Sequence, residues 1–220
     1  MLGNYVWFIS ALRVAKQHRV YTLPMFCTFF WLAHDSSFVF KYNDWFQKWG
    51  HWFPKLFWAL LIFTVLFELA FVGQIIKYGR NEIAPWISQA AFTAGVVVAA
   101  GAVMVFWYWL KHIMDDPVYL GIFALTISSY PLSAIMGMLH RRSRRGMTGL
   151  MCGGFLTMTV CYYTVSIAYF GPPFRSGLYV AVSVVTLALG IAMTLLYRSL
   201  PAYDPQSEQA GTVDRSLVTA

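Results

Sequence analysis

The sequence predicts an all-α, polytopic membrane protein: a bundle of about seven transmembrane helices, of which the first is short. Of the 220 residues, 59% are hydrophobic and only 11% are charged, whereas a soluble domain carries about 25% charged residues. Too few charges are therefore present to coat a water-facing surface. The apolar residues also gather in long runs, and Lys and Arg lie mainly in the gaps between those runs.

Six apolar runs are long enough to cross a bilayer, whose hydrocarbon core of ~30 Å needs about 20 residues of helix. Pro54, Pro85 and Pro117 stand at the starts of three runs, where a missing N–H costs little. A Gly-Pro-Pro break at residues 171–173 precedes the last run. The six runs cover residues 21–40, 54–76, 85–110, 117–139, 148–170 and 177–197, and a shorter one covers residues 2–14.

The length of the chain predicts one domain. We assign residues 1–200 to a single transmembrane helical domain. The remaining segment, residues 201–220, is polar and lacks an apolar run, so we expect a disordered cytoplasmic tail.

The basic residues predict the orientation. Eleven Lys and Arg follow the odd-numbered runs and five lie on the other side. The positive-inside rule then places the C-terminus in the cytoplasm, of either a bacterial inner membrane or an endoplasmic reticulum. Seven spans put the N-terminus outside; if residues 2–14 do not cross, it lies inside. The net charge of +7 is thus a topology signal rather than a nucleic-acid site, and the cluster at residues 140–145 is expected to meet anionic lipid headgroups.

Two of the nine acidic residues, Asp35 and Glu68, lie deep in predicted spans. An ionisable group there costs about 2.5–3.5 kcal/mol on insertion scales, so it marks a candidate functional site. Helical spacing places Trp31, Asp35 and Phe38 on one face, and turns His34 about 100° away from it. A carboxyl that stays protonated in such a site can donate a proton, and aromatic rings can stabilise a cation. These are the requirements of acid-initiated carbocation cyclisation.

Plainer interpretations remain open for the same residues. Asp35 and Glu68 could hydrogen-bond to a neighbouring helix, and His34 could be a packed histidine. His112, Asp115 and Asp116 could ligate a metal, but an interfacial, water-facing cluster is favoured. The sequence therefore predicts no metal site and no cofactor.

Two stretches carry a family resemblance. Tyr21, Pro24, Ala33 and Asp35 match, without a gap, a pattern that begins Tyr-Gly-Met-Pro and ends Ala-Trp-Glu. A second stretch matches in spacing an acid followed by Lys-Phe-Gly and Glu, and Asn4-Tyr5 resembles an Asn-Tyr near the end of a first span. The pattern is that of small membrane-bound terpene cyclases of fungal meroterpenoid and indole-diterpene pathways, the pyripyropene and paxilline type. The second stretch comprises Glu68, Lys77, Tyr78, Gly79 and Glu82.

This resemblance covers residues 4 to about 86, and it implies a cyclase that protonates an isoprenoid epoxide or alkene without a metal. Asp35 takes the place of the family's catalytic Glu, with Glu68 as the second catalytic carboxyl. Tyr21, Trp31, His34 and Phe38 would bind a lipophilic isoprenoid or prenylated substrate. The chain departs from the family in its last run, residues 177–197, which holds no acid. Either Glu68 or the pair at 115–116 takes that role, or the chemistry differs.

Other functions remain in competition. A proton-coupled transporter or lipid-binding membrane protein would use Asp35 and Glu68 for proton coupling, although no internal repeat supports it. A structural or assembly subunit would tolerate neutral substitution of both acids. A retinal protein is disfavoured because every Lys lies at a span boundary or in a loop.

Overall fold

The computed structural model describes residues 2–48, 50, 52–114, 120–169 and 171–204. Within them the secondary structure is helical, without strands, which confirms the predicted fold class. A π-helical turn (Asp44–Lys48) and a 3₁₀ turn (Pro172–Arg175) lie in two of the loops. The α-helices are α1 (Leu2–His18), α2 (Met25–Val39), α3 (Trp52–Tyr78), α4 (Arg80–Ile83), α5 (Gln89–Ile113), α6 (Leu120–Arg141), α7 (Gly149–Tyr169) and α8 (Gly177–Ser199).

Five of these helices, α3, α5, α6, α7 and α8, are long and apolar enough to cross a membrane. The chain is therefore a polytopic membrane protein. The first two predicted spans are shorter: α1 has 17 residues and α2 has 15. At 1.5 Å per residue they extend about 26 and 22 Å, less than the ~30 Å core. The run predicted over 21–40 loses residues at both ends because α2 begins only after Pro24 and ends at Val39.

The position of α2 explains how such a short helix is tolerated. Eleven of its 15 residues are buried, and it packs against α3, α5 and α6. The lipid-facing surface is formed elsewhere, for example by Val98 and Val105 of α5, which are 70% and 72% exposed. A helix enclosed by protein has polar partners that lipid cannot supply. Polar side chains on α2 are thus held in the interior of the bundle.

Helix α1 packs against α7 at backbone contact. A Cβ on Gly3 would lie 2.9 Å from the Gly154 carbonyl oxygen, and a Cβ on Gly154 would lie 2.9 Å from the Trp7 nitrogen. The two glycines therefore let the helices approach closely, as small residues do in membrane bundles. This approach drives Trp7 into the core, where its ring lies 4.3 Å from Tyr130 and 5.3 Å from Phe155.

One end of the bundle, which we call the basic end, gathers the loops after α1, α3 and α6 and the end of α8. Arg144 donates to the backbone oxygens of Pro201 and Arg198, and Gly146 donates to His18 Nδ1. Gly146 adopts a φ of 79°, a left-handed conformation that favours glycine. Residues 205–220, most of the predicted tail, lie outside the described residues.

Helix α5 begins four residues later than the predicted run. Ser88 caps it by accepting a hydrogen bond from the Ala91 N–H at 3.1 Å. Pro85 instead lies in the turn before it, while α4 occupies residues 80–83. Pro54 lies in the first turn of α3, as predicted, and Pro117 falls outside the described residues.

Candidate functional site: a buried carboxyl pair

Asp35 and His34 form a hydrogen-bonded pair in the interior. The His34 Nδ1 and Asp35 Oδ1 atoms are 2.7 Å apart, and the two residues are 2% and 4% exposed. The side chains of consecutive helical residues point in different directions, so spacing alone did not predict this contact. The His34 ring is enclosed by those of Phe38, Trp107 and Phe123, at centroid distances of 4.8, 5.1 and 4.9 Å.

Glu68 reaches the same site from α3. It is 1% exposed, and its carboxyl interacts with that of Asp35 both by charge and through a hydrogen bond. Such a bond requires one of the two carboxyls to carry a proton, because an ionised carboxylate only accepts. Glu68 Oε2 has no hydrogen-bond partner within the described residues. A proton shared between the two carboxyls would relieve their mutual repulsion at this buried position.

The third side of the pair is polar and comes from α1 and α3. The Tyr5 hydroxyl donates to the Leu60 carbonyl oxygen at 2.9 Å, also bonds to Thr64, and lies near enough to Asp35 to feel its charge. Thr64 is 3% exposed and stands one helical turn before Glu68. The turn spacing of the sequence predicts that Thr64 is a neighbour of Glu68. Tyr5 entered the sequence argument only through resemblance, since nothing in the sequence pairs α1 with α3.

Aromatic side chains enclose the site, and Trp31 and Phe38 are among them. Trp31 is 7% exposed and donates from Nε1 to the Thr126 carbonyl oxygen at 3.1 Å. Its ring lies 5.2 Å from Trp7 and 5.8 Å from Tyr130. The Trp7 Nε1 donor is buried without a hydrogen-bond partner among the residues described. The aromatic interior thus contains one unsatisfied donor as well as the unsatisfied Glu68 acceptor.

Tyr21 lies apart from this cluster. Its backbone oxygen accepts from Arg141 Nη2 at 3.1 Å, and the guanidinium lies 4.9 Å from its ring centroid. Burial, followed by the charge of Glu82, raises the pKa of Tyr21. Because Asp35 is ten residues beyond the start of α2, about 15 Å separates the acid pair from the basic end. The structure therefore places Tyr21 in the ion-pair network of that end.

Of the remaining candidates, the structure describes His112 alone. His112 is exposed at the end of α5, and Asp115 and Asp116 lie outside the described residues. No group of three His, Cys, Asp or Glu residues that could hold a metal occurs in the part of the chain that the structure describes.

Helix α8, the last span, has no acidic residue and instead contributes hydroxyls to the interior. Thr186 Oγ1 lies 2.7 Å from Ser128 Oγ, and the Tyr163 hydroxyl lies 3.1 and 3.2 Å from these two oxygens. This set, which we call the hydroxyl cluster, links α6, α7 and α8. Its members bond to one another, so it forms a neutral and satisfied polar core.

No protein-family model, no curated protein and no solved structure matches the chain. Any functional argument therefore depends on the geometry just described. That geometry joins two neighbouring buried carboxyls, a histidine bonded to one of them, and a surrounding set of aromatic rings.

Proposed function

We propose that the chain is an integral-membrane cyclase that protonates an isoprenoid epoxide or alkene and so drives carbocation cyclisation. The observation that carries the proposal is the hydrogen-bonded pair of Asp35 and Glu68 within an aromatic interior. Burying two carboxyls side by side is costly, and ionisable groups inside membranes mark candidate functional sites. The terpene-cyclase resemblance noted for residues 4–86 supports the same chemistry.

The proposed reaction needs no cofactor because its protons balance. The proton shared by Asp35 and Glu68 transfers to the epoxide oxygen, the C–O bond breaks, and a carbocation forms. A neighbouring alkene supplies the electron pair that closes the ring. A carbon-bound proton then returns to the carboxylate, which restores the pair. No diphosphate leaves, so no metal is required to accept one.

The surrounding side chains fit the other steps. Trp31 and Phe38 present rings that would stabilise the cation electrostatically, an effect of about 0.5–2 kcal/mol per ring. His34 bonds to one oxygen of Asp35 through Nδ1, which would leave the other oxygen available to Glu68. The absence of water-facing surface at the pair would protect the cation from hydrolysis.

The test is turnover of isoprenoid epoxides by the purified full chain in lipid vesicles, followed by product analysis. Asp35→Asn and Glu68→Gln should each lower turnover by at least about 100-fold, the usual contribution of a general acid. Asp44→Asn is the matched control, because Asp44 lies in a loop and pairs with Lys41. Full activity in a folded Asp35→Asn/Glu68→Gln double variant would refute the assignment. Proton movement that accompanies substrate flux without a new product would instead favour a proton-coupled transporter.

We also propose that the basic end faces the cytoplasm, because it carries the excess of Lys and Arg. The C-terminus would then be cytoplasmic. Fluorescence of a C-terminal green fluorescent protein fusion, which folds on the cytoplasmic side, tests this. A dark fusion whose expression is confirmed by blotting would reverse the orientation.

A further inference from the structure

The acid pair is closed off on most sides. The His34 side is enclosed by aromatic rings, α2 is buried between neighbours, and α1 meets α7 at backbone contact through Gly3 and Gly154. With Asp35 4% and Glu68 1% exposed, a ligand reaches them only by passing between helices. The boundary between α1 and α3 is the place to examine, because Tyr5 stands there.

The seam between α1 and α3, as we call this boundary, is held by the Tyr5 hydroxyl and by aromatic rings. The Tyr5 hydroxyl donates to the Leu60 oxygen at 2.9 Å, and its ring centroid is 6.0 Å from that of Phe67. One turn further along α1, Phe8 lies 5.8 Å from Phe67 and 5.0 Å from Phe71. Tyr5 also lies near enough to Asp35 to feel its charge.

The outer surface beside the seam is apolar. Val6 and Ile9 on α1 are 48% and 41% exposed, and Phe63 and Leu66 on α3 are 57% and 56% exposed. In a membrane-spanning bundle such surfaces face lipid rather than water. Tyr5 itself is partly exposed, so it connects the lipid-facing surface with the carboxyls.

We propose that the acid site is loaded sideways from the bilayer through the seam between α1 and α3, with Tyr5 as the positioning residue that holds the seam closed. The ligand it admits is uncharged and dissolved in the membrane, since a charged one would not lie in the hydrocarbon region. This inference rests on the site of the proposed function and names the phase from which its substrate arrives. Breaking the Tyr5–Leu60 hydrogen bond opens the seam and leaves both carboxyl side chains in the protein.

A pair of carboxyl reagents tests the route without any assumption about catalysis. A protonated carboxyl adds across a C=N bond of a carbodiimide to give an O-acylisourea, which rearranges to a stable N-acylurea. The full chain in vesicles is treated with apolar dicyclohexylcarbodiimide or with a charged, water-soluble carbodiimide, and peptides are mapped by mass spectrometry. The apolar reagent should modify Glu68 at least about tenfold faster. Lateral loading is overturned if the two reagents modify Glu68 at equal rates or if the charged reagent is faster. It is also overturned if neither reagent modifies Glu68.

Variants then test Tyr5. Tyr5→Phe keeps the ring but removes the hydrogen bond, and should raise the rate of Glu68 modification by the apolar reagent several-fold while leaving the charged reagent as slow as before. Tyr179→Phe is the control. Tyr179 lies on α8, away from the seam, and its hydroxyl donates a comparable hydrogen bond to Ser166 at 2.9 Å. An unchanged rate in Tyr5→Phe removes Tyr5 from the role, and a rise with both reagents indicates general loosening and also refutes it.

The outcomes separate this inference from the proposed reaction. Modification needs no turnover, so an inactive chain whose Glu68 is reached from lipid would count against cyclisation alone. A chain that cyclises its substrate while the charged reagent modifies Glu68 just as fast would count against lateral loading alone.

Discussion

Two acid sites of this molecule differ in what balances their charge. At the basic end, Glu82 accepts from Arg141 Nε at 2.8 Å and from Nη2 at 3.3 Å. In the interior, Asp35 and Glu68 face each other, and no Lys or Arg of the described chain lies within salt-bridge distance of either. The first site is charge-compensated and partly exposed, whereas the second is buried, and its Glu68 Oε2 has no hydrogen-bond partner among the described residues. Breaking a buried ion pair destabilises a fold, whereas an uncompensated buried carboxyl costs free energy and marks a candidate functional site.

The largest effect on stability is expected from Arg141→Met, which breaks the compensated site. The substitution removes the bonds to Glu82, to the Tyr21 oxygen and to the Arg145 oxygen, and leaves the Glu82 charge unpaired. Loss of one partner of a buried pair costs about 3–5 kcal/mol of stability. Because this pair is partly exposed, we expect the lower end of that range, a loss of about 3 kcal/mol. Thermal unfolding in detergent micelles measures the loss.

Arg142→Met is the matched control for this measurement, since Arg142 is an adjacent and exposed arginine. Its unfolding temperature should stay within experimental scatter of the wild type. Equal destabilisation by the two substitutions would show that net charge, and not the Glu82 pair, stabilises the basic end.

The second prediction compares the same chemical change at the two sites. Glu82→Gln should cost about 2 kcal/mol, because its charge-assisted bonds to Arg141 become neutral ones. Glu68→Gln should leave stability unchanged or raise it, because an amide donates to Asp35 and removes a shared proton. Unfolding of both variants in the same micelles gives the comparison. A loss at Glu68 as large as that at Glu82 would assign the interior pair a structural role.

Much of the fold followed from the sequence because bilayer physics constrains it strongly. The predicted runs locate α3, α6, α7 and α8 closely, since a spanning helix must be about 20 apolar residues long. The failures are local. Helix α2 is enclosed by protein, so it does not need the length of a lipid-exposed span. Helix α5 begins after its N-cap, Ser88, and not at Pro85 as predicted.

Less of the site could be predicted. Asp35 and Glu68 were identified because charge is scarce in the spans, and their contact required the pairing of α2 with α3. The His34 contact depends on side-chain rotamers, which spacing does not give. Tyr5 depends on which helix packs beside α3, a long-range choice that no local pattern encodes. Tyr21 belongs to the same sequence motif as Asp35. In the structure, however, Tyr21 lies in the loop before α2, whereas Asp35 lies about 15 Å further along that helix.

The third prediction concerns the hydroxyl cluster, whose contribution to stability is an uncharged reference for those of the two acid sites. Thr186→Val is isosteric and removes one hydroxyl from a satisfied set that includes Ser128 and Tyr163. The expected loss is about 1 kcal/mol, the net value of an internal hydrogen bond, because the Ser128 and Tyr163 hydroxyls keep each other as partners. Unfolding temperature again provides the readout. A loss as great as that of Arg141→Met would mean that neutral polar packing stabilises this bundle as strongly as charge.

The smallest predicted effect on stability is a dependence on pH, which we expect at the basic end because of His18. His18, at the last position of α1 and beyond the apolar run 2–14, accepts a hydrogen bond through Nδ1 from the Gly146 N–H at 3.0 Å. Burial, followed by the charge of Arg145, lowers the pKa of His18 below its ordinary value of 6.5. The unfolded chain therefore binds the proton more readily, so stability is full above about pH 6.5 and falls as pH drops through that value towards the folded pKa. His18→Asn supplies a carbonyl oxygen in place of Nδ1 and should flatten the part of the pH profile that lies below 6.5, as measured by unfolding temperature in micelles. If the variant keeps the wild-type slope, the titration belongs to another group, and the basic end would not be the pH-responsive region of the molecule.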